Sequence, residues 1–207
     1  MVFEIRDADK AALCRQAPEF VPAVRSIELK PFRCSGDLFY ELVRSIVSQQ
    51  LAVRAAAAIF DRVKNLVGDI SAKNVLAADQ EALRSCGLSG RKVGYLRNAA
   101  QAAVSGEVDF AALSERSDAE IVETLVALKG VGVWTAEMLL IFALGRPDVL
   151  SFRDLGIRRG LMLLNGLEKI SDSEFEAIRR RISPYGTLAS LYLWRIKDGG
   201  LPQCGNV

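Results

Sequence analysis

Leu128-Lys129-Gly130-Val131-Gly132-Val133-Trp134-Thr135-Ala136 is the stretch on which the fold turns. Its two glycines permit a tight turn and let backbone N–H groups approach a partner with no side chain in the way. Before it, Ser117-Asp118 opens an amphipathic run over 121–128. After it, apolar residues surround most of the circumference of 135–144, as in a buried central helix, until Gly145 and Pro147 end the run. The stretch is read as a turn joining two helices. At a helix N-terminus such a turn suits a phosphate, and it serves equally well as a plain connector.

Helical periodicity continues in both directions from this turn. Ser35-Gly36-Asp37 caps a run in which Leu38, Phe39, Leu42, Val43, Ile46 and Val47 recur as pairs four residues apart. The alanine-rich 53–67 stops near Gly68, 78–85 stops at Gly87, and 91–104 stops at Gly106. Downstream, Asp154 precedes 155–164 and Gly166, Ser173 opens 175–182, and Pro184 leads into 187–196 before Gly199-Gly200. Pro18, Pro22 and Pro31 break up the N-terminal region, which is expected to be partly extended. No segment alternates convincingly with period two. The expectation is an all-α protein of roughly nine or ten helices with no substantial sheet. It is one domain over 1–207, with one lobe near 37–145 and the other made of 1–36 plus 146–207.

Composition narrows the chemistry. Half of the 207 residues are hydrophobic, enough for a sizeable core. With 27 basic and 25 acidic residues, the net charge of +2 neither demands nor excludes a polyanionic partner, so a nucleic-acid face must come from local clustering. There is no histidine, which removes His-based triads, His-ligated zinc and imidazole bases together and leaves carboxylates, lysines, tyrosines and hydroxyls. Cys14, Cys34, Cys86 and Cys204 are scattered, with no C-x-x-C, and read as thiols in a reducing compartment. The first ten residues are charged throughout and no window has about 18 uninterrupted apolar residues, so the expectation is a soluble intracellular protein with no membrane partner.

On three stretches the chain resembles the helix-hairpin-helix (HhH-GPD) superfamily of base-excision DNA glycosylases. The hairpin Leu128 to Ala136 matches that family's L-P-G-V/I-G-x-x-T-A pattern. Asp154, within S-F-R-D-L-G-I-R-R-G, stands where the family's catalytic aspartate opens a helix, and Ser45-Ile46-Val47-Ser48-Gln49-Gln50 is similar to its I-[IV]-S-Q-Q segment. The resemblance spans about residues 37–194 and implies a two-lobed helical fold with a DNA cleft between lobes. Members that also cut the abasic strand carry a lysine two residues after the second glycine; here Trp134 stands there, which implies a monofunctional hydrolase without lyase activity. The iron–sulfur branch has four clustered cysteines near the C-terminus, where this chain has Cys204, so no such cluster is expected. Within the family the chain looks most like the alkylpurine glycosylases of the 3-methyladenine glycosylase II type, in a minimal form without an N-terminal β-rich domain. It departs from the pattern at Lys129, in place of proline, and over Ile182-Ser183-Pro184-Tyr185-Gly186-Thr187, which lacks the tryptophan and arginine of W-x-P-Y-R-S.

The resemblance implies a mechanism. A stacked base is out of reach, so the nucleotide must rotate into a pocket while a side chain fills the gap. Gln49, Gln50 and Leu51 are the candidates for that wedge, Gln50 foremost, although Gln49 and Gln50 also fit as caps at a helix end. A cationic base such as 3-methyladenine or 7-methylguanine stacks on an electron-rich ring, here Trp134, with Tyr40 or Tyr185 as weaker candidates. Since that base leaves without needing a proton, one carboxylate suffices to stabilise the sugar cation and to serve as base toward water. Asp154 takes both roles, and it is equally the preferred residue type for a helix N-cap. The amides of Gly130 and Gly132 would hold a phosphate, with Lys92 and Arg153 adding to it, and the carbonyls of Val126, Leu128 and Val131 would bind an optional Na⁺ or K⁺. No other cofactor is required. The implied partner is damaged double-stranded DNA, met by a monomer in the cytoplasm and nucleoid, or in the nucleus of a eukaryote. Two alternatives remain at this point: the same fold acting on another damaged or mismatched base, and a non-catalytic hairpin module that only holds DNA.

Overall fold

Side-chain caps decide where most of the helices begin. The computed structural model of the chain describes residues 1–200; Cys204 lies outside them. In chain order the elements are β1 (Val2–Phe3), α1 (Asp7–Gln16), a 3-10 turn (Pro18–Phe20), α2 (Val21–Ser26), β2 (Phe32–Arg33), α3 (Leu38–Ser48), α4 (Val53–Val67), α5 (Ala72–Ala77), α6 (Gln80–Ser85) and α7 (Gly90–Val104), followed by α8 (Phe110–Leu113), α9 (Asp118–Val126), α10 (Val133–Phe142), α11 (Leu155–Asn165), α12 (Asp172–Ile182) and α13 (Gly186–Lys197). The fold is all-α, with β1 and β2 forming one two-residue antiparallel ladder.

The thirteen α-helices among the described residues exceed the nine or ten expected because the extra ones are short. The helix expected over 78–85 is α6, which the Asp79 carboxylate starts by accepting from the Ala82 N–H at 2.8 Å; the unexpected α5 precedes it and ends at Ala77. The N-terminal region, expected to be partly extended, carries α1, the 3-10 turn and α2 between the short strands β1 and β2. Pro18 and Pro22 sit in the first turns of their helices, where a missing N–H leaves no hydrogen bond unmade. Full capping boxes open α9 (Ser117 with Glu120) and α12 (Ser171 with Glu174).

The chain divides into two compact units, Ser35–Leu144 and Met1–Cys34 with the segment from Gly145 onward. In the first, α3 buries Leu42, Val43, Ile46 and Val47 against α4, α7 and α10. There α10 buries Thr135, Ala136, Met138, Leu139, Leu140 and Ile141, as its all-round apolarity predicts. In the second, Leu13, Phe20, Ile157, Leu161, Phe175, Ile182 and Tyr192 share a core. Gly156 and Gly160 let α13 lie close on α11: a Cβ at Gly160 would stand 2.4 Å from the Leu193 carbonyl oxygen, and one at Gly156 would stand 3.0 Å from both Asp154 and Trp194. Among the described residues no helix is long and apolar enough to cross a membrane.

Candidate nucleic-acid interface and catalytic carboxylate

In the Ser35–Leu144 unit, α9 ends and the chain turns through Gly130, whose φ of +84° favours glycine, into α10. Gly132 is the N-cap of α10 and offers no side chain to cap it. The Val131 N–H returns to the Leu128 carbonyl at 3.2 Å, whereas the amides of Gly130 and Gly132 have no acceptor among the described residues. Three side chains brace the turn. Asn98 Oδ1 accepts from the Lys129 N–H at 3.0 Å, Gln49 Nε2 donates to the Gly130 carbonyl at 3.0 Å, and the Tyr95 ring lies so close that a Cβ on Gly130 would meet it at 2.2 Å. Neither Asn98 nor Tyr95 stood out in the sequence, since both read as ordinary positions on the α7 face.

The wedge candidates occupy the connection from α3 to α4. Gln50 adopts a φ of +58°, the only positive value of a non-glycine among the described residues. Its side chain is exposed, as is Leu51, 39% exposed. Gln49 is half-buried and bonded to the hairpin. The Lys92 ammonium, expected at a phosphate, instead donates to the Val47 and Gln49 carbonyls, each at 2.7 Å.

Trp134 follows the hairpin on α10. It is 40% exposed and lines a cavity of about 300 Å³ with Glu41, Arg44, Ser48, Met138 and Phe142. Burial pushes the Glu41 carboxyl above its usual range, against the opposing pull of Arg44 and Ser35. Tyr40 does not share this cavity. It meets Phe60 edge-on at 5.5 Å and lines a groove between α3 and α4. Tyr185 belongs to the other unit, in a recess with Phe3, Arg6 and Leu188. Within the Ser35–Leu144 unit, Tyr40 and Trp134 thus line different cavities.

Asp154 is buried at the start of α11 in the unit that includes Gly145 onward, 8% exposed. Its Oδ1 accepts from the Ile157 N–H at 2.8 Å, the N-cap bond, and from the Trp194 indole N–H at 3.1 Å. Trp194 went unassigned in the sequence, where it stands 40 positions beyond Asp154; the signal was the Gly156-x-x-x-Gly160 spacing that draws α13 onto α11. Arg153, next to the carboxylate, is exposed. Among the described residues no three His, Cys, Asp or Glu side chains group as metal ligands. The carbonyls of Val126, Leu128 and Val131 fit a hard monovalent cation by donor type alone.

Residues 43–184 match the family described as HhH-GPD superfamily base excision DNA repair protein. The chain is 40% identical over 162 residues to DNA-3-methyladenine glycosylase 1 of Schizosaccharomyces pombe, an alignment covering 76% of this chain and 71% of the relative. It superposes on the crystal structure of DNA-3-methyladenine glycosidase from Bacillus halodurans with a TM-score of 0.81 and 34% identity, over 95% of this chain and 92% of that one. A Schizosaccharomyces pombe 3-methyladenine DNA glycosylase in complex with abasic DNA gives a TM-score of 0.80 at 33% identity, covering 91% and 95%.

Proposed function

The chain belongs to the HhH-GPD superfamily of base-excision DNA repair proteins, and we propose that it is a monofunctional glycosylase that hydrolyses the N-glycosidic bond of alkylated purines in duplex DNA. The observation that carries the substrate class is Trp134. A tryptophan 40% exposed at a partly apolar cavity offers an electron-rich ring on which an entering cationic base can stack. A methylated purine cation on its ring gains about 2 kcal/mol of cation–π attraction when desolvated.

The reaction needs little more than a held carboxylate. As the cationic base leaves with the bonding electrons, the sugar becomes oxocarbenium-like, and the Asp154 carboxylate stabilises that charge and takes a proton from the attacking water. The Ile157 and Trp194 donors fix its orientation before substrate arrives. No lysine stands at position 134 to attack the sugar, which accords with hydrolysis and not strand cleavage. The open amides at Gly130 and Gly132 take a backbone phosphate, with Arg153 adding charge. The carbonyls of Val126, Leu128 and Val131 would hold a Na⁺ or K⁺ there to offset the phosphate charge. The protein acts as a monomer on one duplex, in whichever compartment holds the DNA.

The test is release of free base from duplexes carrying 3-methyladenine, 7-methylguanine, ethenoadenine, 8-oxoguanine or a mismatched uracil. Release of the two cationic bases, abolished by Asp154→Asn with DNA binding retained, is the expected result. Release of only the last two would move the chain to another lesion class. Binding without release of any base would leave a DNA-holding module.

A further inference from the structure

The connection between α3 and α4 is held from two sides by residues that sequence alone sends to the DNA. At the end of α3, carbonyl groups lack donors from their own helix. The Lys92 ammonium, reaching across from α7, accepts none and donates to two of these, Val47 and Gln49, both at 2.7 Å. A cation is favoured there by the negative end of the helix as well. Burial draws the Lys92 pKa below the ordinary lysine value, as befits an ammonium drawn inside and away from solvent. From the other side the Gln49 side chain ties the same connection to the Gly130 carbonyl at 3.0 Å. Between the pins stands Gln50, a non-glycine residue at a φ of +58°. Such a conformation persists only where its surroundings over-determine it.

From these contacts we infer that Lys92 and Gln49 are positioning residues: they hold Gln50 and Leu51 in the conformation that fills the gap left by a rotated nucleotide, and Lys92 does not bind a phosphate. This rests on the glycosylase reading above. Gln50 and Leu51 are the exposed members of the connection, and the two pins act only on its backbone or through the hairpin. Lys92 therefore reaches DNA through the shape of the loop.

Three variants, Lys92→Met, Lys92→Arg and Gln49→Ala, test this with readouts that a phosphate contact and a general structural role would move differently. A phosphate-binding lysine contributes about 0.9 to the slope of log affinity against log salt. For Lys92→Met we expect that slope unchanged on undamaged duplex. With 2-aminopurine beside a 7-methylguanine lesion, the fluorescence rise on binding reports the disturbed stack; Lys92→Met and Gln49→Ala should lose most of it, with single-turnover excision at least tenfold slower. Lys92→Arg, which can still span two carbonyls, should recover most of both. Thermal melting identifies any variant that fails to fold, and Gln49→Ala, which leaves Lys92 in place, then carries the test. A slope lowered by about one unit in Lys92→Met, or an unaltered fluorescence rise in both Lys92→Met and Gln49→Ala, overturns the inference while native excision upholds the glycosylase reading. Absence of excision by the native protein on every lesion fells both.

Discussion

Replacing Gly130 by alanine places a methyl group into the Tyr95 ring. The added Cβ would stand 2.2 Å from Cδ2, 2.4 Å from Cγ and 2.5 Å from Cε2 of that ring. Carbon atoms rest at about 3.5–4.0 Å, so the ring must retreat by roughly an ångström or more. Overpacking of that kind costs about 1–3 kcal/mol. The φ of +84° adds about 1–2 kcal/mol for any L side chain. The expected loss is about 2–5 kcal/mol, to be read by urea denaturation, unless the hairpin itself gives way, in which case affinity for a duplex with a stable abasic analogue falls instead. Tyr95→Ala separates the two contributions: in that background Gly130→Ala should lose only the backbone part, about 1–2 kcal/mol. An equal cost in both backgrounds would refute the contact. So would full stability and full affinity of the single variant.

Three further substitutions probe the carboxylate and the two cores. Trp194→Phe keeps the ring but removes the N–H on Asp154; a hydrogen bond to a charged group is worth about 1.5–3 kcal/mol, so single-turnover excision should fall about ten- to a hundredfold. Binding to an abasic analogue should be unaltered, and an unchanged rate would dismiss the bond. Glu41 has a folded-state pKa raised above its unfolded value. Its contribution is thus fully present below the ordinary carboxyl range and is lost as pH rises through the raised value. Glu41→Gln should flatten the melting temperature over that acid window and gain relative to the native chain toward neutral pH; parallel profiles would count against it. The Tyr192 hydroxyl is buried with no hydrogen-bond partner among the described residues, its pKa pushed up to about 12 chiefly by desolvation. Tyr192→Phe should therefore stabilise the protein by about 1 kcal/mol in urea, and a loss of that size would show the hydroxyl to be engaged.

The long helices were legible because each carries its own period and its own stop: α3, α4, α7, α10 and α11 can be read from apolar spacing, caps and glycines. Most of the short ones were not. A six-residue helix such as α5 has too few turns to show a period, and α2 begins with a proline that reads as a breaker until its position in the first turn is known. At the candidate site, the residues set by local chemistry could be found from sequence: the hairpin glycines, the Asp154 cap and the tryptophan after the turn. What stayed hidden came from other helices. Asn98, Tyr95 and Trp194 act by tertiary contact, and Lys92 changed its partner altogether, because a lysine on a helix surface looks the same whether it faces phosphate or a neighbouring carbonyl.

The contacts around Gly130 also give that glycine more to do than its motif states. Its Cα faces the Tyr95 ring, its carbonyl takes the Gln49 amide, and the neighbouring Lys129 N–H is held by Asn98. One residue therefore joins the hairpin turn to the loop that carries Gln50 and Leu51. On the proposed reading, a hairpin that grips a phosphate would pull on that loop through the Gln49–Gly130 hydrogen bond, a coupling that a double-mutant cycle between Gln49→Ala and Gly130→Ala would measure. A plain connector between helices would need none of these three braces. Their convergence on the turn is the physical reason to regard phosphate capture and gap filling as one event, in which Gln49→Ala should weaken the second while leaving the hairpin amides, and hence the first, intact.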